Sequence, residues 1–218
     1  MPHDERVTTS TGTTPRLAHE NPTSLSTGRV VLFSGHMIDA PGRITPRFPP
    51  DMVPEVTNAI QGVLAAWNIG HHDLGMCGGA CGGDLIFAEA CLHRGARVEL
   101  HLPYAVPTFI EQSVAFAGHE WVNRFHAVAE NRRTTVHVMP DEPEEPPDDE
   151  SRYTRHARWL LDRAFARGTK NICVLCLWDG AAGDGPGGTA DMLAAVEARH
   201  GKTVIIDSAR LLAERRTP

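Results

Sequence analysis

The amino-acid sequence predicts an α/β chain with a doubly wound, mostly parallel sheet and helices on both faces. Two observations carry that prediction. Short runs of β-forming residues alternate with longer segments of helical period, the pattern of repeated βα units. Several helical segments also stop at a glycine: Gly95 after Arg94, Gly168 after Arg167 and Gly201 after His200, each suited to the left-handed position past a helix end.

In chain order, residues 1–28 hold Thr, Ser, Pro, Gly and Asn without a hydrophobic period, and are expected to be a disordered tail ahead of a single domain at 29–218. The strand runs are 30–34, 75–77, 98–102, 135–138, 172–178 and 203–206. The helical segments are 54–67, 84–94, 108–117, 119–130, 151–167, 189–200 and 208–215. Right-handed crossovers between such units place helices on both faces of the sheet. The connection 38–51, with four prolines, Arg43 and Arg47, is long for such a fold and reads as a lid whose arginines could clamp a phosphate. Residues 140–150 interleave acids with four prolines, which blocks helix and sheet and predicts an exposed loop within the domain.

Composition narrows the function. The 218 residues carry a formal charge of −6, but seven of the 27 acids lie in the run 141–150; without them 21 basic residues face 20 acids. No cluster of five or more Lys and Arg marks a footprint for duplex nucleic acid or an anionic membrane, so a small-molecule partner is expected. No apolar stretch reaches the roughly 18 to 20 residues that cross a bilayer, and residues 1–16 lack the apolar core of a secretory signal. Five cysteines, an odd number, suggest no disulfide framework and fit a reducing cytoplasm.

In a doubly wound sheet ligands bind outside the carboxyl ends of the strands. Ser34, Gly35 and His36 follow the first strand run, CGGACGGD (77–84) the second, Pro103 and Tyr104 the third, and Trp178, Asp179 and Gly180 the fifth. In CGGACGGD, Gly78, Gly79, Gly82 and Gly83 let backbone approach a ligand, and the helix that follows offers free N–H groups and a partial positive charge to an anion. Asp84 at that helix start could instead cap it, or bond ribose hydroxyls. The spacing is neither GxGxxG nor the P-loop pattern. A second glycine-rich turn, WDGAAGDGPGGTADM, enters the helix at 189, with Gly185, Gly187, Gly188 and Thr189 placed for phosphate or sugar contacts. Its acids Asp179, Asp184 and Asp191 suit hydroxyl binding, acid/base chemistry or simple turn formation.

These residues resemble the SLOG superfamily of Rossmann-like domains, which includes LOG-type cytokinin-activating phosphoribohydrolases, the DprA/Smf proteins and nucleotide-sensing domains of TRPM channels. The likeness rests on the Ser/Gly end of the first strand, the GG-rich second turn with its Ala-rich helix, the return strand RVELHLP and the late PGGT. It spans roughly residues 29–207. It implies a nucleotide or nucleotide-derived ligand between the two turns and, by analogy, a homodimer. The LOG-type motif PGGxGTxxE is met only in part: Pro186, Gly187, Gly188 and Thr189 match, the xG is missing, and Asp191 is the nearest acid to the absent Glu. The Arg-bearing helix of that family corresponds to 151–167, making Arg155 or Arg158 its candidate cation.

Cys173 and Cys176 lie three apart on a strand and so point to opposite faces, which predicts core residues rather than ligands. Cys77 and Cys81 near His71 and His72 form only a weak zinc pattern, and neither a metal nor a cofactor is expected. The readings that follow are a nucleotide sensor or binding module, an N-glycosidic hydrolase or transferase using Asp191 or Asp84 as its carboxylate, and a single-strand DNA binder. The last lacks a basic groove interleaved with aromatic residues.

Overall fold

The computed structural model describes residues 28–140, 151–167, 172–181, 189–199 and 201–215. The expected tail up to residue 27 and the acidic run 141–150 lie outside the described residues, as do Gly168, Asp184, Gly185, Pro186, Gly187 and Gly188. Six strands form one parallel sheet: β1 (Val30–Gly35), β2 (Leu74–Cys77), β3 (Arg97–Leu102), β4 (Thr134–Val138), β5 (Ile172–Trp178) and β6 (Lys202–Asp207), in the order β4-β3-β2-β1-β5-β6. The fold is Rossmann-like. The chain winds outward from β1 to β4, then crosses back to lay β5 on the other side of β1, so the topological switch falls between β1 and β5.

The helices are α1 (Val53–Ala66), α2 (Gly83–His93), α3 (Val106–Ser113), α4 (His119–Ala129), α5 (Arg152–Phe165), α6 (Thr189–Glu197) and α7 (Ser208–Glu214). Each strand serves two cores because side chains alternate along it. On β1, Val31 and Phe33 join the layer under α1, α2 and α4, while Val30 and Leu32 join the layer under α5 and α6. On β5, Cys173 faces the first layer and Cys176 the second, as the strand reading requires, and both are free, buried thiols. Burial pushes the Cys176 thiol up to about 12.

Two local expectations change. The segment 108–117 is not one helix: α3 ends at Ser113, Val114 leaves the helical region, and a separate 3-10 turn spans Ala115–Ala117. Gly95 takes the left-handed backbone expected past α2, with φ of 80°. Gly201 does not; a Cβ there would strike Val196 of α6, so the glycine serves close packing. Among the described residues no helix is long and apolar enough to cross a membrane.

Candidate ligand-binding site

A cavity of about 240 Å³ opens at the carboxyl edge of the sheet, at the switch between β1 and β5. The end of β1 supplies Phe33, Ser34 and Gly35; the β2–α2 turn supplies Gly78, Ala80 and Asp84. The far wall is α5, through Tyr153, His156, Ala157 and Leu160, and α6 closes it with Thr189 and Met192. Ser34 and Thr189, 155 positions apart in sequence, meet hydroxyl to hydroxyl at 3.0 Å. One is the end of a strand and the other the start of a helix, so together they present two hydroxyls at the positive end of α6.

The CGGACGGD turn is built differently from the phosphate cradle that its glycines suggest. The carboxylate of Asp84 accepts the N–H of Ala80 at 3.1 Å, and the N–H groups of Gly78 and Gly79 are directed at the same carboxylate. The turn thus wraps a carboxyl group that the chain supplies itself. Burial pushes the Asp84 carboxyl up to about 7, and the three backbone donors only partly oppose that rise. His156 stands opposite: a Cβ on Gly78 would lie 2.9 Å from Asp84 Oδ2 and 3.5 Å from His156 Cε1. The Nε2–H of His156 donates to the carbonyl of His101, and burial lowers its pKa, so the ring faces the cavity neutral. A proton-holding carboxyl and a neutral imidazole across Gly78 can exchange protons with a bound molecule.

Gly79, Gly82 and Gly83 do not line the cavity. Gly82, with φ of 103°, forms an antiparallel bridge with Met37, and a Cβ there would lie 2.7 Å from the Ile38 nitrogen. Gly83 sits against the Phe33 ring and donates its N–H to the carbonyl of His36. These glycines make room for protein.

His36 and Asp179 lie just outside the cavity, as a latch. The N–H of Asp179 donates to His36 Nε2 at 3.2 Å, and the Asp179 carboxylate lies 3.3 Å from Arg47 Nε. Burial lowers the His36 pKa, against the pull of Asp179. Beyond Met37 a second cavity of about 260 Å³ is lined by His36, Asp39, Arg43 and Arg47. The 38–51 segment is an anchored wall: Ile38 and Phe48 are buried, Asp39 accepts the N–H groups of Arg47 and Phe48, and Arg43 pairs back to Asp39.

Arg155 is buried and Arg158 exposed, and neither lines the cavity. Asp191 falls in the first turn of α6. The face of α5 that does line it, Tyr153, His156, Ala157 and Leu160, follows the 3-and-4 spacing of one helix stripe, a signal present in the sequence but passed over for the arginines.

No family model matches the chain, and no curated protein matches it significantly. Among solved structures it is similar to DNA processing protein A (DprA) from Streptococcus pneumoniae, at 14% identity and a TM-score of 0.37 over 87% of this chain. The match covers 62% of that protein, so this chain spans under two thirds of its length.

Proposed function

We propose that the cavity between β1, α5 and α6 binds a nucleotide or a nucleotide-derived small molecule, as the SLOG resemblance suggests. The observation that carries this reading is the Ser34–Thr189 hydroxyl pair at the start of α6, on the wall of a mostly apolar cavity at the topological switch. A phosphate sits naturally against two hydroxyls and a helix start, while Phe33, Phe109 and Met192 offer an apolar wall to a base. The phosphate belongs to the α6 side alone, because Asp84 already occupies the donors of the β2–α2 turn. The wall beyond Met37, with Arg43 and Arg47, extends the surface available to a longer ligand.

Asp84 supports a second reading, cleavage or transfer at an N-glycosidic bond. A carboxyl poised near 7 beside a sugar can stabilise an oxocarbenium-like transition state when ionised, or protonate a leaving base when neutral. Asp191 stays a candidate by resemblance alone. Gly187, Gly188, Arg155 and Arg158 carry the same status.

Thermal shift and base release, measured together on a panel of nucleoside monophosphates, nucleotide sugars and ADP-ribose, test both readings. Thr189→Val and Ser34→Ala should each weaken binding by about 0.5 to 1.5 kcal/mol, or up to about 3 if the bond is to charged phosphate. An enzyme releases free base and loses that release in Asp84→Asn or Asp191→Asn; a binding module shifts its melting temperature and releases nothing. If no member of the panel shifts the melting temperature, the nucleotide reading fails.

A further inference from the structure

Behind the cavity, between the sheet and α5, three titratable side chains converge, each with a buried polar atom that has no hydrogen-bond partner. Glu99 and His101 lie two apart on β3, hence on one face, and His137 of β4 is the cross-strand neighbour of His101. The two imidazoles stack at 4.8 Å between centroids. One carboxylate oxygen, Glu99 Oε2, lies 3.7 Å from His101 Nε2 and 3.5 Å from His137 Nε2. Each of these three atoms is buried and makes no hydrogen bond. His101 is fully buried and Glu99 is 8% exposed.

Unpaired polar atoms in such a place cost on the order of 1 to 3 kcal/mol each, so three facing one another need a cause. A hydrogen-bonded His-Glu-His cluster would close to roughly 2.9 Å. The distances found are longer, and all three atoms lie within 4.8 Å of one another. A tetrahedral ion with bonds of about 2.0 to 2.2 Å separates its ligand atoms by about 3.3 to 3.6 Å. The two separations from Glu99 Oε2, 3.7 and 3.5 Å, are close to that edge.

We infer that Glu99, His101 and His137 form a binding site for a divalent first-row transition-metal ion of the zinc type. Two imidazole nitrogens and one carboxylate oxygen are the donor set such ions take, with a fourth position left for water. The site is distinct from the ligand cavity, which none of the three lines. Two neighbours help to orient it: Arg167 Nη2 holds the other carboxylate oxygen at 2.6 Å, and the Trp159 ring meets His101 edge-on. Arg163 also lies near enough to His101 to act on it electrostatically. The same two guanidiniums oppose a cation, so affinity depends on the three inner ligands. The bound ion would pin β4, the edge strand, to β3.

The test uses the full chain stripped with chelator, titrated with Zn²⁺ in a calorimeter and with Co²⁺ in a spectrophotometer. One Zn²⁺ per chain, a raised melting temperature, and Co²⁺ bands of nitrogen and oxygen ligation without a thiolate band are expected. His137→Gln, at the least buried ligand, should weaken Zn²⁺ at least about 100-fold and abolish the thermal shift. The double change His71→Ala with His72→Ala should alter neither. His101→Leu should behave as His137→Gln does; should it fail to fold, His137→Gln alone decides. Absence of stoichiometric Zn²⁺, a Co²⁺–thiolate band, or affinity unchanged in His137→Gln would each overturn the assignment.

Discussion

Asp84, in the first turn of α2, and Asp179, in the turn after β5, follow the two strands that flank β1, and both accept backbone N–H groups. Their carboxyls are nevertheless driven in opposite directions. For each, burial is the largest single influence and favours the neutral acid. Asp84 answers it only with the uncharged amides of Gly78, Gly79 and Ala80, and ends near 7. Asp179 adds His36 and the Arg47 guanidinium to the amide of Ala181, and falls below the usual carboxylate range. Amide donors alone do not offset lost water at this edge; a cation does. The site therefore divides into a cavity that can hold a proton and an ionised latch beside it, joined through the segment 36–38, whose carbonyls and amides bind the β2–α2 turn.

The largest effect should come from breaking that junction. Gly82→Ala forces a side chain into backbone conformation that only glycine adopts easily and against the Ile38 nitrogen. The two costs together amount to about 3 to 4 kcal/mol of stability, measurable by denaturant unfolding. A folded, fully stable Gly82→Ala would mean that the turn is not seated on Met37, and the Asp84 donors would then need another support.

The proton on Asp84 gives the next effect, and its sign is opposite to that of ordinary acid denaturation. The folded protein binds this proton more tightly than the unfolded chain, so the contribution of Asp84 to stability is fully present below about pH 4 and declines as pH rises toward 7. At about 1.4 kcal/mol per pH unit the full difference corresponds to about 4 kcal/mol, which the partial exposure of Asp84 lowers to about 2 to 3. Asp84→Asn keeps an acceptor for the same amides and removes the titration. Its melting temperature relative to the parent protein should rise between pH 4.5 and 8; parallel curves would show that Asp84 ionises normally.

Fold class and strand positions were legible in the sequence because they depend on period: alternation, helical stripes and glycine at the turns. The sheet then brings together what the period cannot, as with Ser34 and Thr189, which meet only because β5 and α6 return beside β1. The role of CGGACGGD was misread for a related reason. Four glycines and a helix start signal an anion, but what the turn holds is the carboxyl group of Asp84, one residue past the motif's last glycine. The pair His101 and His137 was invisible because strand neighbours in a parallel sheet come from segments separated by a whole crossover, although Glu99 and His101 already stood in register for one face.

The smallest effect sharpens the comparison from the latch side. Asp179→Asn removes the carboxylate that faces Arg47 while leaving the backbone N–H that His36 accepts. Because the folded pKa is depressed, the contribution of this carboxylate is present above the unfolded value of about 3.9 and is lost as pH falls through the folded one. With the group partly open to solvent, about 1 kcal/mol is expected at pH 7. The gap between Asp179→Asn and the parent should therefore be constant from pH 6 to 8 and close toward pH 3, the reverse of the trend for Asp84→Asn. Arg47→Met should reproduce most of it at pH 7, since burial lowers the His36 pKa and leaves the Arg47 guanidinium as the standing charge beside the carboxylate. If instead the Asp179→Asn gap widened on acidification, the latch would not be ionised, and the contrast between the two aspartates would collapse into a single buried, protonated edge.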